Sequence, residues 1–232
     1  VTRRLILLLA LLGIGASAQS SSQGNYHSRF ENDVVAVYEV DLASHASASP
    51  FEAAHDSFWI SLSPASVTFS RQQDKTVVQF EPGDVRFFPS FETKLLTNTG
   101  PTEFRGVMVA LKPRALISNG CECTGNTGKT LCGCKGANHL ESLWAFSLGD
   151  VTLAGTSLAA GEGFSSAASR DDMLLVAVTD VRLQDDAGSA EPEREQKAAL
   201  RLNAGEAVWI IGGRHQFKNV GTTTARFVTF EF

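Results

Sequence analysis

Two groups of residues in this chain are equipped for chemistry. The first is the run CECTGNTGKTLCGC, Cys121 to Cys134, which holds all four cysteines as two Cys-x-Cys pairs: Cys121 with Cys123, and Cys132 with Cys134. Thiols this close have two uses. They close disulfides, here a nested pair joining Cys121 to Cys134 and Cys123 to Cys132 around a glycine-rich turn, or they converge as thiolates on one Zn or Cu(I) ion. The single-residue gap is shorter than paired zinc cysteines usually show, and it also disfavours a disulfide within one pair. The second group centres on His215, four residues ahead of Asn219 in AGEAVWIIGGRHQFKNVG, Ala204 to Gly221. An imidazole there is suited to proton transfer or to a metal. A looser copy, PGDVRFFPSFETKLLTNTG, Pro82 to Gly100, puts Lys94 in the same place ahead of Asn98. An ammonium is a donor only and has no lone pair for a metal.

The copying extends beyond these stretches. Upstream, Val40–Asp56 lines up with Thr156–Asp172; downstream, Asn98–Leu111 lines up with Asn219–Phe232. The chain is therefore a tandem repeat of roughly 110 residues, a single-domain length. The second copy carries a polar insertion, DDAGSAEPEREQKAA (Asp185 to Ala199), where the first has the short SRQQDKT (Ser70 to Thr76), so the insertion reads as an exposed loop. Short runs rich in Val, Ile and Phe fill both copies, among them VVAVYEV, SFWISL, FRGVMVAL, DMLLVAV and RFVTFEF, and no helical period is sustained. Each copy reads as an antiparallel β-barrel or sandwich. The glycine-rich stretch with the cysteines marks the junction. The divisions are 1–18, 19–30 as an N-terminal linker, 31–112 as the first domain, 113–140 as a Cys-rich linker and 141–232 as the second domain.

Residues 1–18 place Arg3 and Arg4 before an apolar stretch that ends in Ala16-Ser17-Ala18, the pattern of a secretory signal peptide. That stretch is too short for a membrane span, and no other segment approaches one. A secreted or periplasmic protein is expected, in a compartment that favours disulfides. Among 232 residues the formal net charge is −5, and the leader takes two of the positive charges with it. Basic residues are scattered singly, which argues against a nucleic-acid partner.

The Gly, apolar strand, turn, His and Asn-x-Gly of Ala204–Gly221, repeated more loosely in Pro82–Gly100, resemble the second conserved motif of cupins. In tandem they make the chain similar to a bicupin. The resemblance implies an all-β chain of two jelly-roll barrels joined by the Cys-rich linker. It also implies, for active members, a metal held by a His-x-His pair, a carboxylate and the second-motif His. Carried over residue by residue, those places fall on Glu52, Ala54 and Lys94 in the first copy and on Ala168, Arg170 and His215 in the second. Only one imidazole remains, so no metal is expected in the barrels. His55 beside Asp56 and His215 are the residual candidates, and strand alternation tends to turn His55 outward. His45 sits where the family usually has a turn glycine.

Glu52 and Lys94 occupy converging places in the family, so an ion pair replacing the cation is expected across the first barrel. In the second, Asp171, Asp172, Arg170 and His215 form a polar cluster suited to an anionic or hydroxylated ligand. The expected function is an exported, metal-free bicupin that binds a small sugar-like or anionic molecule through Glu52, Lys94, Arg170 and His215, or a structural one. No cofactor is expected beyond Zn or Cu at the cysteines. The alternative is a cupin enzyme, an oxygenase or isomerase with unusual ligands or a metal-free sugar epimerase, with His215 as general base and Asp172 or Arg170 orienting the substrate. Trp59, Trp144 and Trp209 read as core filling.

Overall fold

The structure, a computed structural model, describes residues 25–48, 55–71, 74–88, 95–112, 121–122, 144–148, 151–165, 171–186 and 199–232. Every regular element among them is a strand. The first copy contains β1 (Asn25–Glu31), β2 (Val35–Leu42), β3 (Ser47–Ala48), β4 (Ser57–Ser61), β5 (Ala65–Arg71), β6 (Asp74–Phe80), β7 (Val85–Phe88), β8 (Leu95–Asn98) and β9 (Phe104–Leu111). The second contains β10 (Cys121–Glu122), β11 (Trp144–Leu148), β12 (Val151–Leu158), β13 (Gly163–Ser165), β14 (Met173–Ala177), β15 (Val181–Asp185), β16 (Leu200–Leu202), β17 (Ala207–Ile210), β18 (Gln216–Asn219) and β19 (Ala225–Glu231).

The first copy folds into two sheets ordered β1-β2-β9-β4-β7 and β3-β8-β5-β6. Apart from the added edge strand β10, the second repeats that order, as β10-β11-β12-β19-β14-β17 and β13-β18-β15-β16. The chain is thus all-β, two tandem jelly-roll barrels with one topology. The stretch 19–30 is not linker throughout, because β1 pairs with β2 along most of its length. Its sequence, NYHSRFE, hides the strand: as an edge it is mostly exposed and lacks a run of apolar residues.

Residues 35 and 37 of β2, 58 and 60 of β4 and 107, 109 and 111 of β9 point away from their own barrel. There they meet Val151, Leu153, Leu174, Val176, Val228 and Phe230 of the second barrel in one buried cluster. The intervening residues, such as Ala36, Tyr38, Val40, Trp59 and Met108, fill the interior of the first barrel. Strands buried on both faces lose their polar positions and read as continuous apolar runs, which explains VVAVYEV and DMLLVAV. The barrels are therefore joined face to face by a third core. At its edge Arg226 Nη2 donates to the Pro82 carbonyl at 3.0 Å.

The repeated Asn-x-Gly is a structural clamp. Asn98 Nδ2 donates to the carbonyls of Leu42 at 3.0 Å and Thr102 at 2.7 Å, and its Oδ1 accepts from Gly100 N at 3.0 Å. Asn219 makes the matching bonds to Leu158 at 3.0 Å, Thr223 at 2.8 Å and Gly221 N at 2.9 Å. Both are fully buried, and each ties a strand end to two turns that would otherwise bury unpaired carbonyls. A Cβ at Gly221 would stand 3.1 Å from Asn219 Oδ1, too close for the clamp to close unchanged. The turn matched to glycine in the alignment is left-handed in both copies, with φ of 61° at His45 and 83° at Gly161.

Candidate functional site

The first barrel's interior is occupied by rings. Trp59, Phe69, Phe80 and Phe104 are buried there, with Phe69 and Phe88 centroids 4.7 Å apart and Phe80 and Phe104 5.6 Å apart. Trp59 meets Tyr26 edge-on at 6.3 Å. These side chains pack as core, and Trp59 does what core filling requires of it. Glu52, Ala54 and Lys94, the places where the resemblance puts first-barrel ligands, lie outside the described residues, as does any ion pair between Glu52 and Lys94. His45 is exposed on its left-handed turn, and His55 is half-buried in a bend just before β4.

The second barrel has a different mouth. Phe164, Leu200, Leu202, Val208 and Ile210 face its interior but are only partly buried, above a floor of Met173, Leu175, Leu183, Phe217 and Phe227. His215 stands on the inward side just ahead of β18, its ring stacked on Phe217 at 5.5 Å and 8°. Asp185, at the end of β15, sits beside it, because alternation from the buried Leu183 turns Asp185 to the same side. His215 Nδ1 lies 2.9 Å from Asp185 Oδ2, and Nε2 lies 2.9 Å from the Ile211 carbonyl. Asp185 Oδ1 accepts from Gln216 N at 3.1 Å. The pair is fairly enclosed, with the side chains 18% and 16% exposed, while Ile211 beside it is 69% exposed.

Both atoms facing the imidazole are acceptors. A neutral ring donates from one nitrogen only, so the tautomer decides which of the two contacts is a hydrogen bond. Ala168 and Arg170, the other places that the resemblance aligns with metal ligands, lie outside the described residues. Among the described residues no cluster of three or more His, Cys, Asp or Glu is placed to hold a metal.

The acidic residues expected near His215 go elsewhere. Asp172 Oδ2 accepts from Trp209 Nε1 at 3.1 Å and its Oδ1 from Gly212 N at 2.8 Å. Trp209 is on the outward side of β17, stacked with Phe30 at 6.0 Å and Phe232 at 5.3 Å, where it closes the edge of the core between barrels. Asp172 therefore braces the β17–β18 turn from outside, and the histidine's partner is Asp185, which sequence reading assigned to a loop insertion. Asp171 is exposed ahead of β14, and Arg170 lies outside the described residues. Of the cysteines, Cys121 lies on β10, paired with Leu148 of β11. Cys123, Cys132 and Cys134, like Trp144's side chain and the leader 1–18, lie outside what is described.

One further charged group went unread in the sequence. Glu39, in the middle of β2, is 6% exposed. Arg29 on β1 grips its Oε2 through both Nε and Nη2, and Arg105 on β9 donates to Oε1 at 2.9 Å. Burial pushes the Glu39 carboxyl up, but the hydrogen bonds and charges of the two arginines outweigh it and hold it below its ordinary value. A glutamate inside VVAVYEV was the available signal, since a charge in a run buried on both faces needs partners.

No family model matches the sequence, and no curated protein matches it. Solved structures do resemble the fold. AerE from Microcystis aeruginosa superposes with a TM-score of 0.63 at 8% identity, over 92% of this chain and 94% of that one. A salicylate 1,2-dioxygenase from Pseudaminobacter salicylatoxidans gives 0.61 at 10% identity, over 90% and 76%. Vicilin from Capsicum annuum gives 0.56 at 13% identity, over 86% and 76%. A dioxygenase and a vicilin on one architecture show that the fold does not select an activity. What these likenesses establish is the fold: two cupin barrels in tandem.

Proposed function

We propose that this chain of two cupin barrels is an exported protein that binds a small sugar-like or anionic molecule without a metal, at the mouth of the second barrel. The observation that carries the reading is the bonding of His215: each ring nitrogen meets a fixed acceptor at 2.9 Å. The ring so held is a polar group fixed in orientation at the mouth. Below it, Phe164, Leu200, Val208 and Ile210 supply a partly buried apolar wall, the combination of apolar lining and few fixed polar groups that small-molecule sites use. Arg170, in the adjoining sequence, is assigned to the same ligand.

The test is elemental analysis of natively purified protein with calorimetric addition of Mn(II) and Fe(II), on wild type and His215→Ala. The proposal expects neither metal to saturate at a barrel, and no metal whose content depends on His215. Stoichiometric Fe or Mn that disappears in His215→Ala would overturn it. Zn or Cu that survives the substitution reports on the cysteines instead.

A second reading has one observation behind it. The Asp185–His215 contact at 2.9 Å is the orienter–base pairing of proton-transfer enzymes. A metal-free epimerase or isomerase would use it once a substrate displaced the Ile211 carbonyl from Nε2. Proton exchange at a sugar carbon, lost in both His215→Ala and Asp185→Ala, would select this reading.

A further inference from the structure

Outside both barrel mouths, the outer face of β1, β2 and β9 carries a groove of about 630 Å³. We infer that this groove is a second binding site, and that its ligand is a neutral polyhydroxylated molecule of the saccharide class.

The groove is held in shape from beneath. Glu39 forms part of its lining, and its grip on Arg29 and Arg105 immobilises two guanidiniums whose side chains remain 46% and 45% exposed. Arg29 spends Nε and one Nη2 proton on Glu39, and Arg105 spends an Nη2 proton there, so each guanidinium retains N–H groups for something else. Below them the second barrel closes the clamp: at Gly205, with φ of 92°, a Cβ would stand 3.5 Å from Glu39 Oε1 and 3.0 Å from Leu62 Cδ1. A buried carboxylate that fixes two half-exposed arginines is a positioning device, because it removes the rotamer freedom that ligand binding would otherwise have to remove.

The rest of the lining sets the ligand's chemistry. Acceptors stand opposite these donors, from Asp41 and Glu103. Asp41 is under-satisfied: its Oδ1 is buried and accepts no hydrogen bond from a described residue, and Arg105 Nε is 3.6 Å away. Burial and the neighbouring Glu39 charge push its carboxyl above the ordinary value. Its Oδ2 lies 4.0 Å from His27 Nε2, too far to bond directly and a span that one ligand hydroxyl can bridge by donating to the carboxylate while facing the ring. Two guanidiniums against three carboxylates leave the groove close to charge balance. An anion gains from the arginines and loses against Asp41 and Glu103; a cation meets the reverse. A hydroxyl donates and accepts at once, so a vicinal diol serves both sets, and the mostly polar lining, with Tyr26 as its ring, suits such a ligand. The volume is within the range of small-ligand sites.

The experiment uses the full chain and titrates D-glucose, D-galactose, D-mannose and N-acetylglucosamine, with glycine and inorganic phosphate as charged comparators, by calorimetry and saturation-transfer NMR. At least one neutral saccharide is expected to saturate. Measured in the His215→Ala background to remove any barrel-mouth contribution, Asp41→Asn and Arg105→Lys should each weaken it by about tenfold or more, the loss expected for one charge-assisted hydrogen bond. Circular dichroism and thermal melts confirm that each variant is folded, and Ser28→Ala offers a milder change in the same lining. No saturation by any saccharide overturns the inference, as does binding of glycine or phosphate in place of sugars. Saccharide binding that ignores Asp41 and Arg105 but vanishes in His215→Ala also overturns it, and leaves the barrel-mouth proposal standing.

Discussion

Replacing Phe230 with alanine removes a ring from the seam between the barrels. Phe230 is fully buried, and its ring meets Phe58 of the other barrel edge-on at 5.5 Å and 65°. Truncating a buried phenylalanine costs about 3–5 kcal/mol from lost transfer energy and the cavity left behind. The upper part of that range applies here. The cavity walls, Phe58, Leu174, Val176 and Val228, sit on strands bonded on both sides in their sheets, and such walls collapse little. For a chain of this length each kcal/mol lowers the melting temperature by about 2–4 °C, so the melt should fall by roughly 8–20 °C. The sharper readout is residue-resolved hydrogen exchange. Because β2, β4 and β9 bury their outward faces in the same cluster as β12, β14 and β19, amides of both sets should lose protection together. If β4 and β9 keep wild-type protection while β14 and β19 lose theirs, the barrels fold as separate units and the shared core does not couple them.

Other outcomes follow from the same geometry. Asn98→Ala leaves the carbonyls of Leu42, Ala43 and Thr102 and the Gly100 N–H without this partner, and Asn219→Ala those of Leu158 and Thr223 and the Gly221 N–H; each should cost about 1–3 kcal/mol in urea unfolding. Glu39 has a lowered carboxyl value, so its ion pairs stabilise the fold above the ordinary glutamate range, and that contribution is lost as pH falls through the lowered value. Glu39→Gln should therefore be less stable than wild type at neutral pH by about 1–3 kcal/mol, a difference that closes on acidification. Asp41 has the opposite sign: its raised value costs stability once pH exceeds it, so Asp41→Asn should melt no lower than wild type at neutral pH. Gly205→Ala forces a side chain into left-handed backbone against Leu62 and should destabilise by about 1–2 kcal/mol, read from the denaturation midpoint.

Much of the architecture was legible in the linear text because it depends on local and periodic signals. Short β-branched and aromatic runs marked strands, the matched stretches marked two domains, and the turn aligned with glycine proved left-handed at His45 as well as Gly161. The candidate site was less legible. His215 was visible as a residue of the right type, but its partner was not, since Asp185 reads as the first residue of a polar insertion and is thirty positions away. Asp172 looked suitable by proximity to Arg170, yet its oxygens serve Trp209 and Gly212. The strand β1 was missed because an exposed edge needs no apolar alternation.

What the sequence determined by itself was the kind of chain this is: all-β and duplicated, with an Asn-x-Gly in each copy. Those properties follow from residue type, period and repetition, which survive in one dimension. Tertiary structure alone decided the rest. It turned apolar runs into a core shared between barrels, gave Glu39 its arginines on neighbouring strands, and set His215 between a carboxylate and a carbonyl. Each of these depends on which strands lie side by side and which face each side chain takes, and a shift of one residue in register would reverse the face.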